Sequence, residues 1–102
     1  MKPIDIVLKK GSAAMKIVKN AVAGTMESSD AYVEILPAED LNITIESVVQ
    51  AQFGDAIRNT VADVLSQCGV NQASVRVVDR GALECVIRAR VETAVSRGKG
   101  DA

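Results

Sequence analysis

The chain has 102 residues, a length that forms one domain and leaves no room for a second. Although 48% of its residues are hydrophobic, it has one Phe, one Tyr and no Trp, so its core is aliphatic and the aromatic platforms that stack single-stranded nucleic acids are excluded. The chain has no His, which excludes an imidazole general base or metal ligand, and its net charge is −1.

The charges are unevenly distributed along the chain. Residues 1–20 contain five lysines and one aspartate, a net charge of +4, so the remaining residues sum to −5. Between residues 21 and 57 there are seven acidic residues and no basic one. Such a surface repels a phosphate backbone, which argues against nucleic acid as a partner. It predicts either a partner with a basic docking surface or simply a well-solvated small domain.

Other features of the composition bear on location. The two cysteines, Cys68 and Cys85, are too few for a zinc site, and each lies on an apolar helical stripe that predicts a buried thiol. No run of about 18 apolar residues predicts a membrane span, and no secretory signal is recognisable. We therefore expect a cytoplasmic protein with reduced cysteines and no membrane partner.

The first residues differ in character from the rest. A second possible start occurs at Met15, and the Gly-Ser-Ala-Ala sequence before it is typical of a linker. We therefore expect residues 1–14 to be a leader, a tag or a disordered extension and residues 15–97 to form the domain. The polar, glycine-containing residues 98–102 are expected to be a flexible tail.

Three short segments in the first half of the domain predict β-strands. The first is an apolar run over residues 21–25. The second, residues 31–36, alternates apolar and polar residues and ends before Pro37, which cannot donate to a sheet ladder. The third, residues 41–46, alternates most regularly. Three short strands in succession predict an antiparallel meander with one solvated face.

The second half predicts two helices and a further strand. Ser47 and Gln50 have capping-box spacing, apolar residues then recur every three or four positions, and Gly69 follows the last of them as a C-terminal cap. Residues 74–79 predict a strand. Residues 82–97 fit either a strand or a helix, and their Ala, Glu and Arg content favours a helix. The predicted fold is α+β, in the order β-β-β-α-β-α, with an antiparallel four-stranded sheet and two helices on one face.

The polar loop at residues 24–30, Gly-Thr-Met-Glu-Ser-Ser-Asp, lies between the first two predicted strands. Glycine, serine and aspartate make such a loop an ordinary turn. Glu27 and Asp30 flank the serines, but with no predicted pocket they are solvated acids rather than an acid–base pair. No glycine-rich phosphate loop, catalytic triad or metal-ligand cluster is present in the sequence. The residues alone therefore predict a small acidic α+β interaction domain.

Three blocks of the sequence resemble the acyl carrier protein (γ) subunit of citrate lyase. They are AVAGTMESSD at residues 21–30, QFGDAIR at residues 52–58 and DRGALECVIRARVE at residues 79–92. The blocks occur in the order of that family and are spread over residues 15–97. Family members begin shortly before the first block, which agrees with a domain that starts at Met15.

The resemblance implies a non-catalytic carrier subunit of a multi-subunit lyase. The family's modified residue follows Glu in the Gly-Thr-x-Glu-Ser block and corresponds to Ser28, whereas the neighbouring Ser29 corresponds to an unmodified residue. The implied cofactor is a phosphoribosyl-dephospho-coenzyme A group, that of 2'-(5''-triphosphoribosyl)-3'-dephospho-CoA, joined to Ser28 by a phosphodiester. Its thiol carries acetyl and citryl units. Protein made without the enzymes that synthesise the group would lack it.

The implied partners are the other subunits of citrate lyase and the transferase that attaches the prosthetic group. The α subunit exchanges acetyl for citryl on the carrier, and the β subunit cleaves the citryl carrier to oxaloacetate and acetyl carrier. The serine is expected on an exposed loop beside a sheet, and Glu27 and Asp30 are hypothesised to dock basic partner surfaces. The alternatives are a small α+β ligand-binding or regulatory module with no covalent cofactor and the carrier subunit of malonate decarboxylase.

Overall fold

A computed structural model describes residues 16–47 and 50–99 of the chain. In chain order the elements are β1 (Ala21–Gly24), β2 (Ala31–Leu36), β3 (Leu41–Ser47), α1 (Gln50–Gln67), β4 (Ala73–Asp79) and α2 (Glu84–Gly98). This β-β-β-α-β-α order agrees with the sequence prediction, and residues 84–98 form the helix that their composition favours. The predictions for residues 1–14 and 100–102 lie outside the described residues.

The sheet is mixed, so the prediction of a purely antiparallel sheet is wrong. Its strand order is β1-β2-β4-β3. The pairs β1–β2 and β2–β4 are antiparallel, whereas β4 and β3 are parallel. The parallel pair arises because α1 returns the chain from the end of β3 to the start of β4, and such a crossover brings the next strand back in the same direction.

Hydrophobic content explains why β4, and not β3, lies beside β2. In β4 the side chains of Val75, Val77 and Val78 are buried, whereas in β3 Ile45 is the buried residue of the strand. A strand whose core-facing residues are all buried is favoured in the interior of a sheet, and a largely exposed strand is favoured at its edge. Local alternation had suggested that β3 simply follows β2 in a meander.

The core lies between one face of the sheet and both helices. The helices contact each other, α1 packs on β3, and α2 packs on β1 and β2. The buried side chains of α1 and α2 recur at helical spacing, as the sequence predicts; they are Ile57, Val61, Val64 and Leu65 in α1 and Ile87, Val91, Ala94 and Val95 in α2. Burying each of the larger aliphatic side chains contributes about 1.5–3 kcal/mol to folding.

A glycine ends α1, as the sequence predicts. Gly69 has a φ of 76°, its N–H donates to the Ser66 carbonyl at 3.0 Å, and the Val70 N–H donates to the Leu65 carbonyl at 2.9 Å. These bonds form the glycine-terminated cap that the sequence predicts. At the other end, Ser47 is the last residue of β3 and the helix begins at Gln50. The capping box predicted for Ser47 and Gln50 involves a side chain outside the described part of the structure and stays a prediction.

The end of α2 packs against the segment that precedes β1. The carbonyl of Gly98 accepts hydrogen bonds from the N–H groups of Val18, at 2.9 Å, and Lys19, at 3.2 Å. Gly98 is buried, and a Cβ atom there would lie 3.2–3.3 Å from Ile35 and Ile17. Gly98 therefore belongs to the packed domain, although the sequence analysis assigned it to the tail. Neither described helix is long and apolar enough to cross a bilayer.

Candidate functional site

Ser28 lies at the tip of the hairpin that joins β1 to β2. The Asp30 N–H donates to the Glu27 carbonyl at 3.1 Å, which closes a turn over residues 27–30, the Ser28 turn, with Ser28 and Ser29 at its centre. Both serines are exposed. Within residues 16–47 and 50–99 the Ser28 hydroxyl has no hydrogen-bond partner. The serine therefore occupies an exposed loop beside the sheet, where the sequence analysis expected it.

The hairpin loop, residues 24–30, begins at a glycine that no other residue could replace without strain. Gly24 has a φ of 90°, a left-handed value that side chains disfavour. A Cβ atom at this position would overlap the carbonyl oxygen of Ala31 and crowd the side chain of Arg90. Gly24 therefore lets the two strands and α2 approach each other directly below the Ser28 turn.

The carboxylate of Asp30 organises the base of the hairpin loop. It accepts hydrogen bonds from the Thr25 hydroxyl at 2.7 Å, from the Ala31 N–H at 2.7 Å, and from Nε and Nη2 of Arg90 at 3.1 and 3.0 Å. The Thr25 bond first, then Arg90 and the Ala31 N–H, hold the pKa of the Asp30 carboxyl well below its ordinary range. Thr25 Oγ1 also accepts the Glu27 N–H at 3.2 Å.

This arrangement corrects one hypothesis from the sequence. Asp30 was expected to dock a basic partner, but Arg90 of the same chain already binds its carboxylate in a bidentate pair, and only 15% of the Asp30 side chain is exposed. That hypothesis is therefore wrong for Asp30. Glu27 is exposed and has no ion pair among the described residues, so it is the acid of the loop that a partner can reach.

Arg80 connects the hairpin loop to the end of β4. Its carbonyl accepts the Ser29 N–H at 2.8 Å, and its own N–H donates to the Asp30 carbonyl at 2.9 Å. Its guanidinium donates from Nη1 to the Met26 carbonyl at 3.1 Å. These bonds extend the pairing of β2 with β4, in which Ala31 lies opposite Asp79, beyond the ends of both strands. Ser28 consequently lies between two points, Met26 and Ser29, that are both bonded to Arg80.

A second loop, residues 79–83, holds Arg80 in place and is called the Arg80 loop. The Asp79 carboxylate, only 2% exposed, accepts hydrogen bonds from the Gly81 N–H at 3.1 Å, the Ala82 N–H at 2.9 Å and the Ser47 hydroxyl at 2.8 Å. Gly81 has a φ of 95°, which a glycine adopts without strain. The loop leads directly into α2, which carries Arg90.

Sequence reasoning did not identify Arg80 and Arg90 as parts of the site. They lie more than 45 residues from Ser28 in the chain, and no local pattern connects them. The available signal was the third resembling block, residues 79–92, which contains both arginines, both ends of the Arg80 loop and the first half of α2.

The remaining reactive groups among the described residues form no metal site. The part of the chain that the structure describes contains no cluster of His, Cys, Asp or Glu that could hold a metal ion. Cys68 is half-buried on the core, and burial raises the pKa of its thiol. Cys85 is exposed, so its predicted burial is wrong: it lies in the first turn of α2, before the buried stripe begins at Ile87.

Comparison with known proteins relates this chain to acyl carriers. Residues 18–98 match the sequence model of the family described as malonate decarboxylase delta subunit (MdcD). The chain is 52% identical over 89 residues to the citrate lyase acyl carrier protein of Albidiferax ferrireducens, a match that covers 85% of this chain and 91% of that protein. It is 53% identical over 83 residues to the citrate lyase acyl carrier protein of Haemophilus influenzae, covering 81% and 87% of the two chains.

The fold also occurs in a solved structure. A chain in the crystal structure of a Pseudomonas malonate decarboxylase hetero-tetramer in complex with malonate superposes with a TM-score of 0.71. The superposition covers 83% of this chain and 89% of that chain, at 20% sequence identity. At that identity the likeness concerns the fold alone.

Proposed function

Because the chain belongs to the citrate lyase acyl carrier protein family, we propose that it carries acetyl and citryl groups on a prosthetic group joined to Ser28. One observation supports this assignment above the others: the Ser28 hydroxyl is exposed and has no hydrogen bond among the described residues, at the centre of a turn whose flanks are bonded to the domain. A transferase can reach such an oxygen without unfolding the protein.

The geometry of the turn favours Ser28 over Ser29 as the attachment residue. Ser29 has a φ of 67°, and its N–H is bonded to the Arg80 carbonyl, so its backbone is fixed. The Ser28 N–H has no such bond among the described residues. Ser28 can therefore shift towards an enzyme while Ser29 holds the turn to the domain. The residues present fit a phosphodiester-linked phosphoribosyl-dephospho-coenzyme A group, whose thiol would supply the thioester that carries the acyl unit.

The carrier's own residues present the serine and need not activate it. The pair formed by Asp30 and Arg90 fixes the base of the hairpin loop, and Arg80 fixes the turn above it. The chain has no His, so it has no imidazole to deprotonate Ser28; the transferase would supply that base. Attachment to one flexible point keeps the acyl group at high effective concentration near the partner active sites.

The proposed partners follow from this role. An α subunit would exchange acetyl for citryl on the carrier, and a β subunit would cleave the citryl carrier to oxaloacetate and acetyl carrier. A separate transferase would attach the prosthetic group. The carrier itself would be non-catalytic and would act in the cytoplasm, where citrate and its cleavage products are exchanged between these subunits.

The test is the intact mass of the protein produced together with the enzymes that synthesise and transfer the prosthetic group. We expect one adduct of the mass of the phosphoribosyl-dephospho-coenzyme A group. Ser28→Ala should abolish it, and the matched control Ser29→Ala should retain it. An adduct lost in Ser29→Ala and kept in Ser28→Ala would contradict the assignment, and unmodified protein in all three samples would favour a binding module without a covalent cofactor.

A carrier subunit of malonate decarboxylase is the second candidate. The description of the matching family model and the shared fold of the Pseudomonas chain favour it, whereas identities above 50% over most of the chain favour citrate lyase. The modified carrier should therefore be mixed with the acyl-exchanging subunits of each system in turn. A citryl thioester on the carrier supports the first proposal, and a malonyl thioester supports the second.

A further inference from the structure

Arg80 differs from the other arginines near the two loops because its charge is not neutralised. Arg90 pairs with Asp30, and Arg88 pairs with Asp63 and Glu84. Arg80 is exposed, and within residues 16–47 and 50–99 its guanidinium bonds only the Met26 carbonyl, at 3.1 Å. A guanidinium carries five N–H donors, so this bond leaves several of them and the full positive charge available.

The position of this charge is fixed by the fold. The backbone of Arg80 is bonded to Ser29 and Asp30, and its guanidinium reaches the carbonyl of Met26 on the other side of Ser28. The buried carboxylate of Asp79 and the positive φ of Gly81 set the path of the chain on either side of Arg80. The Arg80 side chain therefore lies against the same short segment that contains the Ser28 hydroxyl.

From this placement we propose that the Arg80 guanidinium binds the phosphodiester anion that is created at Ser28 when the prosthetic group is attached. The inference rests on the function proposed above. Attachment adds a negative charge to a loop that already exposes the carboxylate of Glu27, which has no ion pair within the described ranges. A planar guanidinium matches the oxygens of a phosphate group and forms short, charge-assisted hydrogen bonds with them. Arg80, in the block at residues 79–92, thus provides a positive charge for the phosphodiester on Ser28, in the block at residues 21–30.

The consequence is a preferred orientation for the attached group. With its first phosphate held by Arg80, the group starts from a defined point on the domain while its distal thiol remains free to move. Exposed ion pairs of this kind correspond to about a 1.5- to 5-fold preference for the paired state, which decreases with added salt. This preference is strong enough to bias the group and weak enough to release it to partner sites.

The experiment compares the unmodified and modified full-length protein by NMR spectroscopy, with Arg58 as an internal control. Arg58 is also exposed, and among the described residues it also donates only to a backbone carbonyl, that of Ile43 at 2.7 Å, but it lies outside the two loops. On modification the Arg80 Nε–H resonance should shift, and its exchange with water should slow by about two- to fivefold. The Arg58 resonance should not change, and 1 M NaCl should remove most of the difference at Arg80.

The ³¹P resonance of the phosphodiester tests the same contact in substituted proteins. In the modified protein, Arg80→Gln should move the ³¹P resonance of the phosphodiester, Arg80→Lys should move it less, and Arg58→Gln should leave it unchanged. If Ser28 carries the adduct but the Arg80 signal responds no more than that of Arg58, this inference is overturned. The proposed carrier function would then still hold. The absence of any adduct overturns the proposed function and this inference together.

Discussion

The hairpin loop and the Arg80 loop lie at the same end of the sheet and are built from the same kinds of residue. Each has a glycine with positive φ, Gly24 at 90° and Gly81 at 95°. Each has an aspartate whose carboxylate accepts backbone N–H groups. They differ in burial: the carboxylate of Asp79 is 2% exposed and bonded to uncharged donors, whereas that of Asp30 is partly exposed and paired with Arg90.

The two loops therefore have different roles: the hairpin loop presents Ser28, and the Arg80 loop supports the hairpin loop. The hairpin loop leaves residues 25–29 exposed and, besides its internal bonds among Thr25, Glu27 and Asp30, is held by Arg80 and Arg90. The Arg80 loop closes on its own buried carboxylate and needs no charge from elsewhere. A loop that must offer a hydroxyl to other proteins cannot bury its side chains, so part of its rigidity comes from a neighbour that can.

The two glycines give the largest expected contrast. Gly24→Ala should lower the free energy of unfolding by about 3–4 kcal/mol, because a left-handed φ is combined with overlap of the new Cβ with the Ala31 carbonyl. Gly81→Ala should lower it by only about 1–2 kcal/mol, because its Cβ would meet open space and only the φ is unfavourable. Urea denaturation of both variants measures the difference. If both variants lost the same free energy of unfolding, the Ala31 carbonyl would lie farther from Gly24 than the structure has it.

The buried aspartate gives the next largest effect. Asp79→Ala should lower the free energy of unfolding by about 2–3 kcal/mol, since it removes the shared acceptor of the Ser47 hydroxyl and of the Gly81 and Ala82 N–H groups. Ser47→Ala, which removes one of the three donors to this carboxylate, should lower it less than Asp79→Ala does. If the two variants were equally stable, the carboxylate would not be organising the Arg80 loop.

Asp30 should contribute less, and its contribution should depend on pH. Its pKa in the folded protein is lower than in the unfolded chain, so the carboxylate stabilises the fold fully above about pH 5 and progressively less as the pH falls below about 4. Asp30→Asn should therefore destabilise the protein at pH 7 and have a smaller effect at pH 3. Denaturation of both proteins at the two pH values measures this, with 1 M NaCl reducing the gap at pH 7. A gap that is unchanged at pH 3 would contradict the role of the Arg90 pair.

Ser28 should contribute least to stability. Its hydroxyl is exposed and has no partner among the described residues, so Ser28→Ala should change the free energy of unfolding by less than about 0.5 kcal/mol. Thermal denaturation of the unmodified protein checks this, with Thr25→Ala as a contrast in the same loop because the Thr25 hydroxyl donates to Asp30. A destabilised Ser28→Ala variant would mean that the hydroxyl serves the fold.

Local patterns in the sequence were sufficient for the elements and for a polar loop between β1 and β2, whereas Ser28 was chosen within that loop by the family resemblance. Alternation identified β2 and β3, helical spacing identified the buried faces of α1 and α2, and Gly69 marked the end of α1. The predicted position of β3 in the sheet was wrong because alternation assigns the faces of a strand but not its neighbour. The neighbour of β3 is β4, whose paired residues lie 32 positions further along the chain. Arg80 and Arg90 were missed for the same reason, since their partners are distant in sequence.

The contact between Gly98 and the segment at Val18 and Lys19 brings the end of α2 next to the residues that precede β1. From there β1 runs about 13 Å towards the serine, and α2 returns over about 22 Å from the Arg80 loop. A surface linker or fluorescent label fixed near either residue 18 or residue 98 would therefore sit at the opposite pole from Ser28. An array of this domain that is immobilised near either of these residues would therefore present the Ser28 hydroxyl on the side away from the support.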